Sequence, residues 1–425
     1  MTFSQTFEPH LSSEKESFRV DSILIFGNET TKDFVILNEI TFEIGDFVTN
    51  EELFYNRERI YSLGLFNKVS VEKIIENQKN VVIIEVEESW YIFPLPLLEI
   101  KERDYKKLSY GFYLVYKNFR GRNETIFSTV SFGYNPSFGI TYINPNLNSE
   151  GDYFLRFSSS LSKNKNRSII AESFSGGQFE YKQIFSSLTF GKRINQFNKL
   201  FINLSFNYVE TEKSIKNFTS GSERIDRYSS LGLGYEYDKR DLIQFPKQGN
   251  YFLLNGNFNG FGMNNTNYRT AKMDFRQYFE IYNKIFFKFR TAIRMTFGEK
   301  VPLFDYSLIG ADEKVRGNFF KRIEDRNLLS VNSELYYPLI DELQVDISFL
   351  PIIPEKLLSY RIAVYTHAFA DYGSVFKDFY KSTNSLAGYG FGISFLFLPY
   401  NIVRFELGLN EYSKTEFIFD IGTFF

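Results

Sequence analysis

The chain has 425 residues, with 49 Lys and Arg against 51 Asp and Glu, so its formal net charge of −2 excludes a basic footprint for nucleic acid. There is no cysteine, which excludes disulfide frameworks and thiolate metal sites, and the two histidines, His10 and His367, lack a paired ligand pattern. The aromatics are 50 Phe and 29 Tyr against one Trp, a load that suits strands with one side in lipid.

Residues 1–17 are polar and acidic and read as a flexible tail, without the apolar core of a secretory leader. No window holds the ~18 consecutive apolar residues that a spanning helix requires. Residues 18–90 read as a small α+β module. Phe18, Val20, Ile23 and Ile25 belong to a strand ended by the turn signal Gly27-Asn28. Thr30 or Thr31 caps a short helix over Lys32–Asn38. Thr49 or Asn50 caps a second helix with Leu53, Tyr55, Ile60 and Leu63 on its apolar face, stopped by Gly64. Two strands follow, Phe66–Ile75 and Val81–Glu88, giving the order β-α-α-β-β. Residues 91–105, with Pro94 and Pro96, read as a linker.

From Lys106 to Phe425 helical periodicity disappears. Sixteen candidate strands run from Leu108 to the C-terminus, one of them placed at Ser168. Ile285, Phe287, Phe289, Thr291 and Ile293 alternate with Lys288, Arg290 and Arg294, a pattern of one greasy and one charged face that fits a wet barrel lumen. Short turns at Asn135-Pro136, Asn283-Lys284 and Pro399-Tyr400 alternate with long connections at 211–226 and 299–327. The connection 339–359, with Pro351 and Pro354, is long on the side where turns should be short.

The long connection 299–327 carries Arg316, which needs carboxylate partners if it folds into the lumen. In the next strand Glu334 shares a face with Ser330 and Asn332; in the one after, Asp371 has the parity of Arg361 and His367. A guanidinium between two such carboxylates makes charge-assisted bonds in a partly desolvated site. In the last strand Phe417, Phe419, Ile421 and Phe425 alternate outward, and Gly422 weakens the strand where it would close against the first, Leu108–Lys117. No phosphate loop, nucleophile elbow or metal-ligand pair is visible, and Gly388, Gly390 and Gly392 read as small lumen-facing residues.

The order of the N-terminal module and its string Ile60-Tyr61-Ser62-Leu63-Gly64-Leu65-Phe66-Asn67-Lys68-Val69 resemble a POTRA domain. Val315-Arg316-Gly317 resembles the loop signature of the BamA/TamA superfamily, with Asn318 where the family has Phe or Tyr and Phe319 one place later. Tyr237-Asp238-Lys239-Arg240-Asp241 with Phe245-Pro246-Lys247-Gln248-Gly249 resembles the family's periplasmic turn, in which Asp238, Arg240, Asp241, Pro246 and Gly249 carry the match. Glu334 and Asp371 stand at the acidic positions that grip the loop arginine, and the C-terminal strand resembles the β-signal.

The resemblance implies a mainly β fold: a 16-stranded antiparallel transmembrane β-barrel over residues 106–425, preceded by one POTRA-like α+β domain. It places the barrel in a bacterial outer membrane and the small domain in the periplasm. The expected role is assembly of outer-membrane proteins, through strand capture by the small domain and a lateral seam between first and last strands. Expected partners are unfolded outer-membrane protein clients, outer-membrane lipids and accessory lipoproteins, with no enzyme activity, cofactor or metal. A two-partner-type secretion pore and a passive or structural barrel stay open as alternatives.

Overall fold

The computed structural model describes residues 17–100, 105–221, 223–261, 263–310, 312–318, 320–346, 356, 359–378, 381–399 and 401–422. The N-terminal domain contains β1 (Ser17–Arg19), β2 (Ser22–Phe26), α1 (Asp33–Leu37), β3 (Phe47–Thr49), α2 (Asn50–Ser62), β4 (Phe66–Glu76) and β5 (Lys79–Glu88). Its sheet has the order β2-β5-β4, with β2 parallel and β4 antiparallel to the central β5. The expected first strand is broken at Val20–Asp21, and β1 pairs instead with β3.

Of the two candidate caps for α2, Thr49 takes the place, in a reciprocal capping box with Glu52. The start of α1 differs from expectation: Lys32 is its N-cap and no side chain caps it. Thr31 is drawn away by Glu88, whose Oε1 accepts from both the Thr31 amide and hydroxyl at 2.7 Å. A buried carboxylate outcompetes a helix terminus for that hydroxyl because the charge-assisted bond is the stronger one.

The remaining chain forms β6 (Ile92–Ile100), β7 (Leu108–Phe119), β8 (Glu124–Gly133), β9 (Ser137–Asn144), β10 (Tyr153–Lys165), the short helix α3 (Ile169–Ser175), β11 (Glu180–Arg193), β12 (Asn198–Thr211) and β13 (Ile225–Asp238). It continues with β14 (Gly249–Asn259), β15 (Tyr268–Tyr282), β16 (Ile285–Phe297), β17 (Ser307–Ile309), β18 (Ile323–Asp325), β19 (Asn327–Asp346), β20 (Ser359–Asp378), β21 (Lys381–Leu398), β22 (Asn401–Asn410) and β23 (Thr415–Ile421). Sixteen of these make one antiparallel sheet in sequence order from β6 to β23, with the β17–β18 hairpin set aside in the loop between β16 and β19. Its outward positions are apolar, among them Phe112, Leu204, Leu233, Phe391 and Phe417, as a membrane-spanning wall requires.

Two expectations about the strands are corrected. Residues 91–105 do not form a linker throughout, because β6 lies within them and is the first strand of the wall. Proline is tolerated there since, among the described residues, β6 is an end strand paired on one edge only. The strand expected at Ser168 is absent; Ser168 instead caps α3, its Oγ accepting from the Ala171 amide at 3.0 Å. The long connection 339–359 begins as strand: β19 runs on to Asp346 through irregularities at Pro338–Leu343, and β20 starts at Ser359. Residues 347–355, 357 and 358 of it lie outside the described residues.

The N-terminal domain packs on one mouth of the cylinder. Val35, Ile36, Leu53, Ile60 and Tyr61 of the domain share one apolar cluster with Phe245, Phe286, Tyr336, Tyr365 and Leu398 of the wall. Ion pairs ring this contact: Arg361 reaches Glu58 at 2.8 Å, Arg59 reaches Glu39 at 2.7 Å, and Lys247 reaches Glu342 at 2.7 Å. At the opposite mouth Phe218 packs edge-on against Phe179, Tyr181 and Phe304, so the loops pack against one another there.

Candidate functional site: a loop arginine inside the cylinder

The loop between β16 and β19 turns inward, and its contacts reach walls on opposite sides. Glu324 accepts from the Ile169 amide of α3 at 2.8 Å, Arg167 pairs with Asp312 at 3.3 Å, and Glu313 takes both guanidinium nitrogens of Arg290 at 2.7 and 2.9 Å. A small apolar cluster of Ile309, Val315, Leu328, Val375 and Leu386 holds the loop against β19–β21. Burial of Val315 and Ile309 supplies undirected adhesion, whereas the ion pairs fix position.

Arg316 is fully buried. Its Nε and one terminal nitrogen donate to the two Asp371 oxygens at 2.7 and 2.9 Å, and its backbone amide donates to the same carboxylate at 3.1 Å. The other terminal nitrogen donates to Glu334 and to Glu406, each at 3.0 Å. The guanidinium carbon lies over the Phe369 ring, 3.7 Å from its centroid. That ring comes from the wall, two residues before Asp371; Phe319 lies outside the described residues.

The structure therefore brings together Arg316, Glu334 and Asp371, the loop arginine and the two acids to which the sequence resemblance and strand parity point. It adds Glu406 and Arg404, which sequence reasoning missed. Arg404 donates to Glu334 at 2.8 Å and to Glu406 at 2.7 Å, and Lys288 reaches Glu334 at 3.4 Å from the directly opposite position on β16. Two guanidiniums and one ammonium thus face three carboxylates, so the buried charges balance. A signal for the missed pair exists: Arg404 and Glu406 are the charged members of an alternation with Val403, Phe405 and Leu407.

Glu334, His367 and Glu406 hold ligand atoms within 4.8 Å of one another, the spacing of a metal site. A terminal nitrogen of Arg404 occupies the centre of that group, 2.8 Å from Glu334, 2.7 Å from Glu406 and 3.2 Å from His367. The cation required there is this side chain.

Glycines give the loop its room. A Cβ on Gly388 would lie 1.8 Å from the Arg316 carbonyl oxygen, and one on Gly408 would lie 2.8 Å from the Gly317 nitrogen. Gly317 itself has φ +87°, and its Cβ would meet the Leu409 carbonyl at 2.7 Å. Asn318, at the position where an aromatic was expected, is buried and donates to the Ala387 carbonyl at 2.7 Å.

The turn between β13 and β14 forms the joint with the N-terminal domain. Arg240 grips Asp238 through two nitrogens at 2.9 and 2.7 Å, and Asp241 accepts from the Lys247 and Gln248 amides at 3.0 and 3.2 Å. The Pro246 carbonyl accepts from the Tyr336 hydroxyl at 2.6 Å, and Gly249, at φ +101°, sits where a Cβ would be 2.1 Å from the Lys239 carbonyl. Ser62 at the end of α2 receives the Ile243 amide at 2.9 Å and donates to the Asp241 carbonyl at 3.3 Å. Burial raises the Asp241 carboxyl to about 6, against the pull of the amides of Leu242, Gln248 and Lys247. Between this turn and the clamp stands Lys288, its ammonium 3.9 Å from the Phe245 ring centroid.

Of the predicted seam residues, Phe417, Phe419 and Ile421 face outward and are exposed, and Gly422 has φ +112° with open space around it. Phe425 lies outside the described residues. The expected partner strand, Leu108–Lys117, is interior to the sheet as β7; β6 is the strand at the other end. Among the described residues no ladder joins β6 to β23.

A lipid-facing cylinder that folds a loop into its own lumen, with a small α+β module docked on its mouth, defines the class of POTRA-bearing β-barrels. The Omp85 superfamily domain matches residues 118–425, and the POTRA description "Surface antigen variable number repeat" matches residues 18–89. The chain belongs to the Omp85 superfamily. No curated protein matches it in sequence. Among solved structures it is similar to BamA from Haemophilus ducreyi lacking POTRA domains 1–3, with 16% identity, TM-score 0.55 and coverage of 95% of this chain and 84% of that one. It is similar to CdiB from Acinetobacter baumannii at 15% identity and TM-score 0.54, covering 95% and 73%, and to CdiB from Escherichia coli at 11% and 0.52, covering 98% and 90%. At these identities the likeness is one of fold.

Proposed function

We propose that this chain assembles β-barrel proteins in a bacterial outer membrane, with its N-terminal domain in the periplasm and unfolded outer-membrane proteins as clients. The observation that carries this reading is the combination of a filled lumen with an unpaired seam. The loop is anchored through Arg316, Arg290 and Asp312, the N-terminal domain packs on one mouth, and among the described residues β6 and β23 stand at the ends of the sheet without a ladder between them. A chain crossing through the lumen would have to expel that loop and break its ion pairs. A strand pairing at the seam needs no such rearrangement, and in lipid the unpaired backbone groups there favour any partner that satisfies them.

The N-terminal domain has a matching feature. Among the described residues its β4 pairs only with β5, leaving an edge beside α2 on which an extended client segment can add. Outer-membrane lipids surround the apolar wall, and accessory lipoproteins are the remaining proposed partners. The chemistry is burial and hydrogen bonding throughout, with no bond made or broken and no cofactor required.

Reconstitution tests the reading. In liposomes the full chain is expected to speed folding of an added client barrel while passing little steady current. Large steady conductance without faster client folding would overturn it in favour of a secretion pore or a passive barrel.

A further inference from the structure

The outward face of the wall changes character toward the mouth opposite the N-terminal domain. On β10 the exposed Phe157 and Leu161 set the outward parity, which then passes to Lys163 and Lys165. On β11 it runs from Phe190 and Leu188 to Lys182 and Glu180, and on β12 from Leu204 and Phe206 to Tyr208 and Glu210. On β13 it runs from Leu233 to Arg227, whose neighbours Asp226 and Tyr228 are buried on the lumenal side. The register sets these residues in rows. Leu161, Ile184, Tyr208 and Arg227 lie level with one another, and Lys163, Lys182 and Glu210 form the next outward row toward the mouth.

Lys163 thus stands directly across from Lys182, and like charges so placed destabilise a sheet. The nearby acids do not cancel the excess. Glu180 pairs with both Lys163 and Lys165, while Glu210 meets Lys182 at 3.7 Å and Arg224 at 3.2 Å. Lys163, Lys165, Lys182, Arg224 and Arg227 therefore outnumber Glu180 and Glu210. The connection beyond adds Glu212 and Glu223 against Lys213 and Lys216, which leaves that excess as it is. At the other ends of these four strands the outward positions carry a single charge, Lys192 opposite Tyr153. The basic row is a feature of one mouth only.

We propose that this row binds the phosphorylated headgroup of an outer-leaflet lipid. Its phosphates lie among Lys163, Lys182 and Arg227, and its acyl chains run down over Leu161, Ile184 and Phe206. Phosphate suits these cations because it supplies the missing negative charge and accepts several charge-assisted bonds at once. The apolar residues directly beneath favour a lipid over free phosphate, since only a lipid covers both. Tyr208 stands at the boundary between the two, its hydroxyl donating to Glu210 at 3.2 Å, as an interfacial aromatic does. The inference rests on the outer-membrane placement proposed above, which puts this mouth at the outer leaflet, and it makes no use of client assembly. Strands β10 to β13 lie mid-sheet, far from both β6 and β23, so a lipid held there leaves the seam unobstructed.

The test measures lipid retained by the full chain in a neutral detergent, read by native mass spectrometry with bisphosphorylated lipid A as the probe. The unaltered chain should retain lipid A in preference to phosphatidylcholine, and inorganic phosphate at the same concentration should not displace it. The double variant Lys182→Gln, Arg227→Gln should hold lipid A roughly tenfold more weakly. The double variant Lys182→Arg, Arg227→Lys keeps both charges and should hold it as the unaltered chain does, which separates headgroup binding from packing of the wall. Equal retention by the glutamine variant, no preference over phosphatidylcholine, or displacement by inorganic phosphate would overturn the proposal. No client enters this assay, so lipid retention stands or falls apart from the client-folding result that judges the assembly reading.

Discussion

At the residue scale everything turns on Arg316. Its five hydrogen bonds to Asp371, Glu334 and Glu406 are all buried. Truncation to Ala strands carboxylates that only Arg404 and Lys288 then balance, and removing one partner of a buried ionic group costs about 3–5 kcal/mol. Arg316→Ala should therefore release the loop, seen as new protease sites within 298–326 and loss of client folding. Arg316→Lys should not restore either property, because one ammonium cannot fork onto Asp371 while reaching the two glutamates. Gly388→Ala should have a similar outcome for a steric reason, since its Cβ would collide with the Arg316 carbonyl. Arg316, Glu334 and Asp371 were legible because they stand in motifs that resemble the family's loop and acidic positions, and strand parity puts both acids on the lumenal face. Glu406 and Arg404 were not, because alternation shows which face a residue is on but not which residues of four strands lie level; that depends on register.

At the element scale the turn 239–248 does two jobs, closing β13 onto β14 and seating α2 of the N-terminal domain. Asp241 is buried there with its carboxyl raised to about 6. Since the folded value lies above the ordinary carboxylate value, the stabilising effect of protonation is fully present below that ordinary value and lost as pH rises through about 6. Docking of the domain should accordingly tighten between pH 7 and pH 5, measured by amide exchange in α2, and Asp241→Asn should flatten that dependence. Opposite trends, or an unaltered slope in the variant, would remove Asp241 from the joint. The turn residues were readable as a motif, whereas the loss of Thr31 as a helix cap was not. That loss depends on Glu88, 57 residues away. Likewise Pro94 and Pro96 suggested a linker, and only the unpaired edge of β6 reconciles them with a strand.

At the scale of the whole molecule, a chain of contacts runs from the loop to the N-terminal domain. Arg316 touches Glu334, Glu334 meets Lys288, Lys288 stacks on Phe245, and Phe245 shares its cluster with Ile60 and Tyr61 of the domain. Arg361, held by Glu58 and Glu342, is a second tie at the same mouth. Arg361→Ala should loosen the domain, giving faster amide exchange in α2, while leaving the loop protected from protease. The overall architecture was legible from period-two alternation and the aromatic load; the packing of domain against mouth was not, because it joins residues about 300 positions apart, as Arg361 and Glu58 illustrate.

On the proposed reading, clients enter the membrane through the side of this barrel and not through its lumen. Locking the seam tests it most directly, with cysteine pairs walked along β6 and β23 in the otherwise cysteine-free chain. Oxidation should abolish acceleration of client folding in liposomes, and reduction should restore it in the same sample. Full acceleration with the seam covalently shut would contradict the account.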